Sequence, residues 1–262
     1  IVEGRSRYEF FTYTFEGVDQ LTGNSLYKAN LDDYFVTLPD GTTLGNKQSG
    51  VDITKKATVI GGVPYVTNTT YGQREFHGSA LPTVYGSLTG TIGYKSLTLS
   101  ALFTYSLGGK TMDGVYQSLM TTGTSPSSYH ADIMQSWTKA PEGMDEHSPD
   151  RIRKDGIPQI NSTLSSDNNA VSSRWLTSAD YLVVKNLTLS YRLPQTWVDH
   201  MGLQAVGLNL SCENLWTFTA RQGMNPQQSF AGGQGNYLVT PRIFSAGVSG
   251  KPSYTLLQTI FL

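Results

Sequence analysis

Residues 96–108 read SLTLSALFTYSLG and residues 181–194 read YLVVKNLTLSYRLP. In the first stretch Leu97, Leu99, Ala101, Phe103, Tyr105 and Leu107 fall at one parity, while Thr98, Ser100, Thr104 and Ser106 fall at the other. A strand separates those two sets, because its side chains point to opposite faces with period two. One face is then apolar and ends in aromatics; the other carries hydroxyls and almost no charge. That division suits a strand between lipid and a wet lumen.

The same pattern recurs outward from these two stretches. Val84 to Tyr94 alternates Val84, Leu88, Ile92 and Tyr94 against Ser87, Thr89 and Thr91, and only Lys95-Ser96 separates it from the next strand, which predicts a tight hairpin. Leu187, Leu189 and Tyr191 oppose Thr188, Ser190 and Arg192 until Pro194 stops the ladder. After the connection from Gln195 to Gly202, Val206, Leu208, Leu210 and Cys212 alternate with Gly207, Asn209 and Ser211, a second hairpin. Tyr237 to Gly250 reads as the last such strand. Long connections follow Gly108 and Gln222, and the first is expected to be a loop with little structure of its own beyond a short helical stretch near Tyr129 to Trp137.

Composition agrees with an all-β chain. Of 262 residues, 15% are charged, 38% hydrophobic, 27 are Gly and 15 are Tyr, a mix too apolar for disorder and wrong for a helical bundle. A net charge of −1 supplies no long-range pull toward nucleic acid. No apolar run is long enough for a spanning helix, which leaves barrel strands open. The single Cys212 reads as a packed small hydrophobe. The first residues show neither Met nor a leader pattern, so the chain is expected to start within something longer.

Short turns at one end and long loops at the other form the layout of an outer-membrane barrel, with loops on the outside of the cell. Tyr94, Tyr191 and Trp197 lie near the short turns, and Tyr105, Tyr181 and Trp216 near the long loops, as two interfacial girdles. The expected organisation is residues 1–82 as barrel-associated strands and a long loop, 83–251 as C-terminal barrel strands and loops, and 252–262 as an atypical tail.

Chemical motifs are weak. Gly109-Lys110-Thr111 mimics the end of a phosphate loop, but Thr104 stands where glycine is needed. The four histidines have no partner at metal-ligand spacing. Asp145, Glu146 and Asp150 lack the order of a calcium loop. No nucleophile elbow occurs and no paired acids are marked out, so neither catalysis nor a cofactor is expected. Aromatic faces and amides or carboxylates that hold sugar rings would sit in the long loops, which makes Tyr129, His130, Trp137, Gln227, Gln228 and Asn236 the candidate ligand contacts.

Several segments together resemble a family. Glu3-Gly4-Arg5, then Gly17 to Gly23 (GVDQLTG), Gly93-Tyr94-Lys95 and Tyr105 to Lys110 (YSLGGK) come in order. They are followed by Ser178 to Tyr191 with Leu193-Pro194, Glu213-Asn214-Leu215-Trp216 and Ile243 to Val248. The set is similar to the C-terminal part of SusC-like TonB-dependent receptors. That resemblance implies a 22-stranded, plugged barrel of Bacteroidota-type outer membranes. It implies uptake of glycans or oligopeptides, energy from the TonB complex through upstream segments, and a SusD-like surface lipoprotein over the ligand. Pro252 to Leu262 departs from it, since the family's last strand ends at an aromatic soon after a stretch like Gly247 to Lys251. The rival expectation is a secreted β-sandwich carbohydrate-binding module, in which the apolar faces form a core.

Overall fold

A computed structural model describes residues 3–48, 50–121, 128–221, 223–228, 233–234 and 240–252. Contacts divide the chain into two units: one of Leu81–Lys110, Ser178–Phe230 and Tyr237–Leu262, the other of Ile1–Ala80, Thr111–Thr177 and Ala231–Asn236.

The first unit is a five-stranded antiparallel sheet in chain order: β1 (Val84–Tyr94), β2 (Leu97–Leu107), β3 (Tyr181–Arg192), β4 (Leu203–Thr219) and β5 (Ile243–Pro252). Tyr94 pairs with Leu97 across the two-residue turn, where Lys95 takes a φ of 54°, the positive value such turns require of a central residue. The other short connection holds a helix at Gln195–His200.

Register sorts the side chains into rows. Tyr94, Leu97, Tyr191, Leu208 and Val248 stand side by side across the five strands, then Ile92, Leu99, Leu189, Leu210 and Ala246, then Gly90, Ala101, Leu187, Cys212 and Phe244. Between them run Gly93, Thr98, Ser190, Asn209 and Gly247, and Thr91, Ser100, Thr188, Ser211 and Ser245, on the opposite face. In these rows one face is apolar and the other carries hydroxyls, amides and glycine; further along the strands Leu102, Val183 and Glu213 also fall on the second face. Thr91 and Ser100 share a hydrogen bond of 3.0 Å there.

Strict alternation would place Lys185 on the face of Leu187. A bulge prevents it: Val184 and Asn186 pair with Trp216 and Glu213, which leaves Lys185 on β3, and Asn214 and Leu215 on β4, outside the ladder. Asn214 takes a φ of 52° and accepts a 2.8 Å hydrogen bond from Lys185 Nζ. Beyond the bulge the apolar rows resume as Leu88, Phe103, Val184 and Trp216.

The second unit is built differently. Ile152–Arg153, Phe15–Asp19, Ser25–Lys28, Val63–Val66 and Ala57–Ile60 form a five-stranded sheet in that spatial order. Its core is Tyr27, Ala29, Val36, Ile53 and Val66. The connection after Lys110, expected from the sequence as a loop with little structure of its own beyond one short helical stretch, is part of a packed unit. Residues 111–177 belong to this unit, held by polar bonds that leave no periodic signature. Asn168 accepts from Ser25 N at 2.9 Å through its side chain and from Ser25 Oγ at 2.8 Å through its carbonyl. Buried Trp175 donates to the Ala170 carbonyl at 2.9 Å.

Candidate functional site

Asp19 ends the Phe15–Asp19 strand, and the Thr22-Gly23 turn returns the chain to Ser25. Its carboxylate, 1% exposed, accepts from Arg151 Nε at 2.9 Å and Nη2 at 3.1 Å. Leu21 N and Thr22 Oγ1 donate to it as well, each at 3.0 Å. Burial disfavours its charge, yet the bonds from Arg151, Leu21 and Thr22 prevail and hold the carboxyl below its ordinary range. Arg151 Nη1 also reaches the Glu146 carbonyl at 3.3 Å. This two-pronged pair therefore pins the charged 145–155 stretch to the sheet, a link that no spacing in the sequence marks.

Trp137 is pinned beside it. Its Nε1 donates to the Gln20 carbonyl at 2.9 Å, and its ring covers Gly23, whose φ of 74° and missing Cβ leave the room. Trp137 lines a cavity of about 180 Å³ with Gln20, Gln135, Arg153, Asp155 and Ile157. That volume suits one side chain or a few waters rather than a whole sugar or dipeptide.

His130 caps the short helix Ala131–Gln135, where the sequence suggests a helical stretch, and its Nδ1 accepts from Asp132 N at 3.2 Å. Tyr116 donates to the Asp132 carboxylate at 2.7 Å and stands edge-on to both His130 and Trp175. Tyr129 is 40% exposed. His130 and Trp137 thus hold loops in place. Gln227 and Gln228 lie in a 3-10 turn at Pro226–Gln228 of the other unit, where Gln227 N donates to Asn225 Oδ1 at 3.3 Å. Asn236 lies outside the described residues.

Sequence reasoning missed Arg174. Its guanidinium lies 4.4 Å from the Trp175 ring centre and 5.5 Å from that of Phe15, and donates to the Asn168 carbonyl at 3.2 Å. Burial lowers its pKa to about 10 and raises that of Tyr27 to about 12. The cation rests on aromatic faces.

The girdle aromatics divide by register. Tyr94, Tyr191, Tyr105 and Trp216 occupy apolar rows, with Tyr105 folded over Gly86. Trp197 is 62% exposed on the turn helix. Tyr181 stands on the hydroxyl face, between Ser106 and Thr219, and does not share the apolar surface. The bulge at Lys185 sets that phase. Among the described residues no group of three or more His, Cys, Asp or Glu converges.

No protein-family model matches the chain. It is 24% identical over 230 residues to TonB-dependent receptor P3 of Formosa agariphila, covering 87% of this chain and 19% of that protein. TonB-dependent receptor P39 of the same organism is 24% identical over 176 residues, 63% of this chain and 15% of that one. This chain is a relative of the TonB-dependent receptors. The RagAB peptide transporter superposes with a TM-score of 0.60 at 18% identity over 92% of this chain and 22% of that one. The antiparallel meander is accordingly a barrel segment, and the SusC-like resemblance read from the sequence is supported. The chain spans about a fifth of the length of the relatives it matches.

Proposed function

We propose that these residues form part of the wall and the surface loops of an outer-membrane receptor for nutrient uptake. The receptor draws energy from the TonB complex, works beneath a SusD-like surface lipoprotein and imports oligopeptides or oligosaccharides. The observation that carries this reading is the two-faced sheet. Ile92 and Phe244 are each 72% exposed and Val248 is 75% exposed on an apolar face that spans five strands. A surface of that kind is stable against lipid and costly against water. In a β-sandwich it would be the inner face and covered, so the binding-module alternative is not favoured. The relatives are receptors rather than enzymes, and the RagAB pair is described as a peptide transporter.

In this reading Tyr94, Tyr191 and Trp197 anchor one membrane interface, Tyr105 and Trp216 the other. Ligand contact belongs to the loops, with the exposed Tyr129 among the candidates. The test is fractionation of the native organism with an antibody against this chain, followed by growth of a deletion strain. A band in outer membranes several times heavier than 28.7 kDa, with loss of growth on either peptides or one oligosaccharide as sole source, supports the proposal and selects the substrate class. A soluble band at 28.7 kDa contradicts it.

A further inference from the structure

The apolar face carries a charge at its long-loop end. Arg242 directly precedes β5 and shares the parity of Phe244 and Ala246, which places it on the apolar side. Its guanidinium carbon lies 5.2 Å from the ring centre of Trp216, a member of an apolar row. β5 has ten residues, within the roughly nine to eleven that a tilted strand needs to cross the hydrocarbon. Arg242 therefore sits at the boundary, where an arginine is tolerated as it is not at mid-membrane.

A second cation is tied to the same place. Asn214, left outside the ladder by the bulge, accepts from Lys185 Nζ at 2.8 Å and donates through Nδ2 to the Pro241 carbonyl at 3.3 Å. One amide thus holds both the ammonium and the residue before Arg242. Glu213, the acid of β4, pairs with Asn186 and Ile243 on the opposite face. Among the described residues neither Arg242 nor Lys185 has a carboxylate within ion-pair distance.

These features bound the ligand. Contact with an aromatic ring consumes none of the five N–H donors of a guanidinium, which remain free for oxygens. Two cations without a carboxylate match a group of about two negative charges, and a phosphomonoester supplies about −1.5 to −2 at neutral pH on three acceptor oxygens. A single carboxylate would leave one cation uncompensated. The neighbouring surface ties that phosphate to a lipid rather than to a soluble ion. Trp216, Phe218 and Phe244 are exposed there, and the apolar rows continue to Val248 as a bed for acyl chains.

We propose that Arg242 and Lys185, with Trp216 against the guanidinium, bind the phosphomonoester headgroup of a membrane lipid at the long-loop boundary. The inference rests on the barrel reading above and adds a lipid of defined headgroup to it.

The test places a photo-crosslinking residue at Phe244 of the full-length receptor, with Ser245 as the control position, in lipid discs of phosphatidylcholine and phosphatidic acid in equal parts. Phosphatidic acid is the monoester probe. Adducts at Phe244 should favour it over phosphatidylcholine about fivefold, as expected for a site worth one well-placed cation. That preference should vanish in Arg242→Gln and persist in Arg242→Lys and in Lys251→Gln, which alters a cation at the other end of β5. Heat-modifiable migration confirms that each variant assembles, and Lys185→Gln replaces Arg242→Gln if that one does not. Equal yields from the two lipids, a preference indifferent to loss of the cation, or one abolished by inorganic phosphate equimolar with the phosphatidic acid overturns the proposal and leaves the barrel reading standing. Lipid adducts at Ser245 with none at Phe244 would instead overturn the barrel reading.

Discussion

The meander of β1 to β5 and the unit around Asp19 and Tyr27 solve opposite problems. The meander turns its apolar rows outward and leaves its interior face to hydroxyls, so its stability depends on what surrounds it. The other unit hides Tyr27 and Val66 inside and is stitched by buried polar pairs such as Asp19 with Arg151. Periodic contact with a continuous medium tolerates change at many positions. A buried pair tolerates none, because each partner stranded alone is a charge without water.

The sharpest way to break that contrast is Arg151→Ala, which leaves the Asp19 carboxylate buried and unpaired at a cost of about 3–5 kcal/mol. Limited proteolysis of the full receptor should then cut within residues 145–155, where the wild type resists. Unchanged protection would mean that the pair is not what holds the stretch. In the meander, Leu189→Arg should cost about 2–4 kcal/mol near the middle of the membrane, read as a lower urea midpoint for loss of heat-modifiable migration. Ser190→Arg, one residue on and facing the lumen, should move that midpoint far less; equal effects would erase the distinction between faces.

Two smaller changes sharpen the picture. Gly23→Ala forces a left-handed φ on a residue beneath the Trp137 ring and should cost about 1–3 kcal/mol, seen as partial exposure of Trp137 fluorescence to quencher. Lys28→Ala removes a 2.5 Å ion pair with Glu75 that is about 40% exposed on each side, and should change stability by less than about 1 kcal/mol.

Acid separates the regions as well. Because the Asp19 carboxyl is held below its ordinary value of 3.8, its contribution is complete above that pH and is lost as pH falls through the lower folded value. Protection of residues 145–155 should therefore persist from neutrality down to pH 4 and fail only below it. Failure already at pH 5 would contradict the assignment.

How much of this was legible in the sequence follows from the same contrast. Residues 96–108 announce their faces because every second side chain meets the same medium, and the strand bounds at Val84, Tyr94 and Leu97 follow from that. The phase of Tyr181 was not legible, because it depends on Lys185 leaving the ladder and bonding to Asn214 across the strand. Nor was residue 111–177's attachment, since Asn168 to Ser25 and Arg151 to Asp19 join positions more than 130 apart by single polar contacts. His130 and Trp137 stand out in the sequence as aromatic ligand candidates, whereas the structure binds them to their own loops.

The central claim is that β3 separates lipid from lumen side chain by side chain. Nitroxide labels placed singly at residues 187 to 191 of the full receptor, in a Cys212→Ala background and in native outer membrane, test it directly. Accessibility to oxygen should peak at Leu187, Leu189 and Tyr191, and accessibility to a polar nickel complex at Thr188 and Ser190. A profile without that two-residue alternation, or with its phase reversed, would contradict the account.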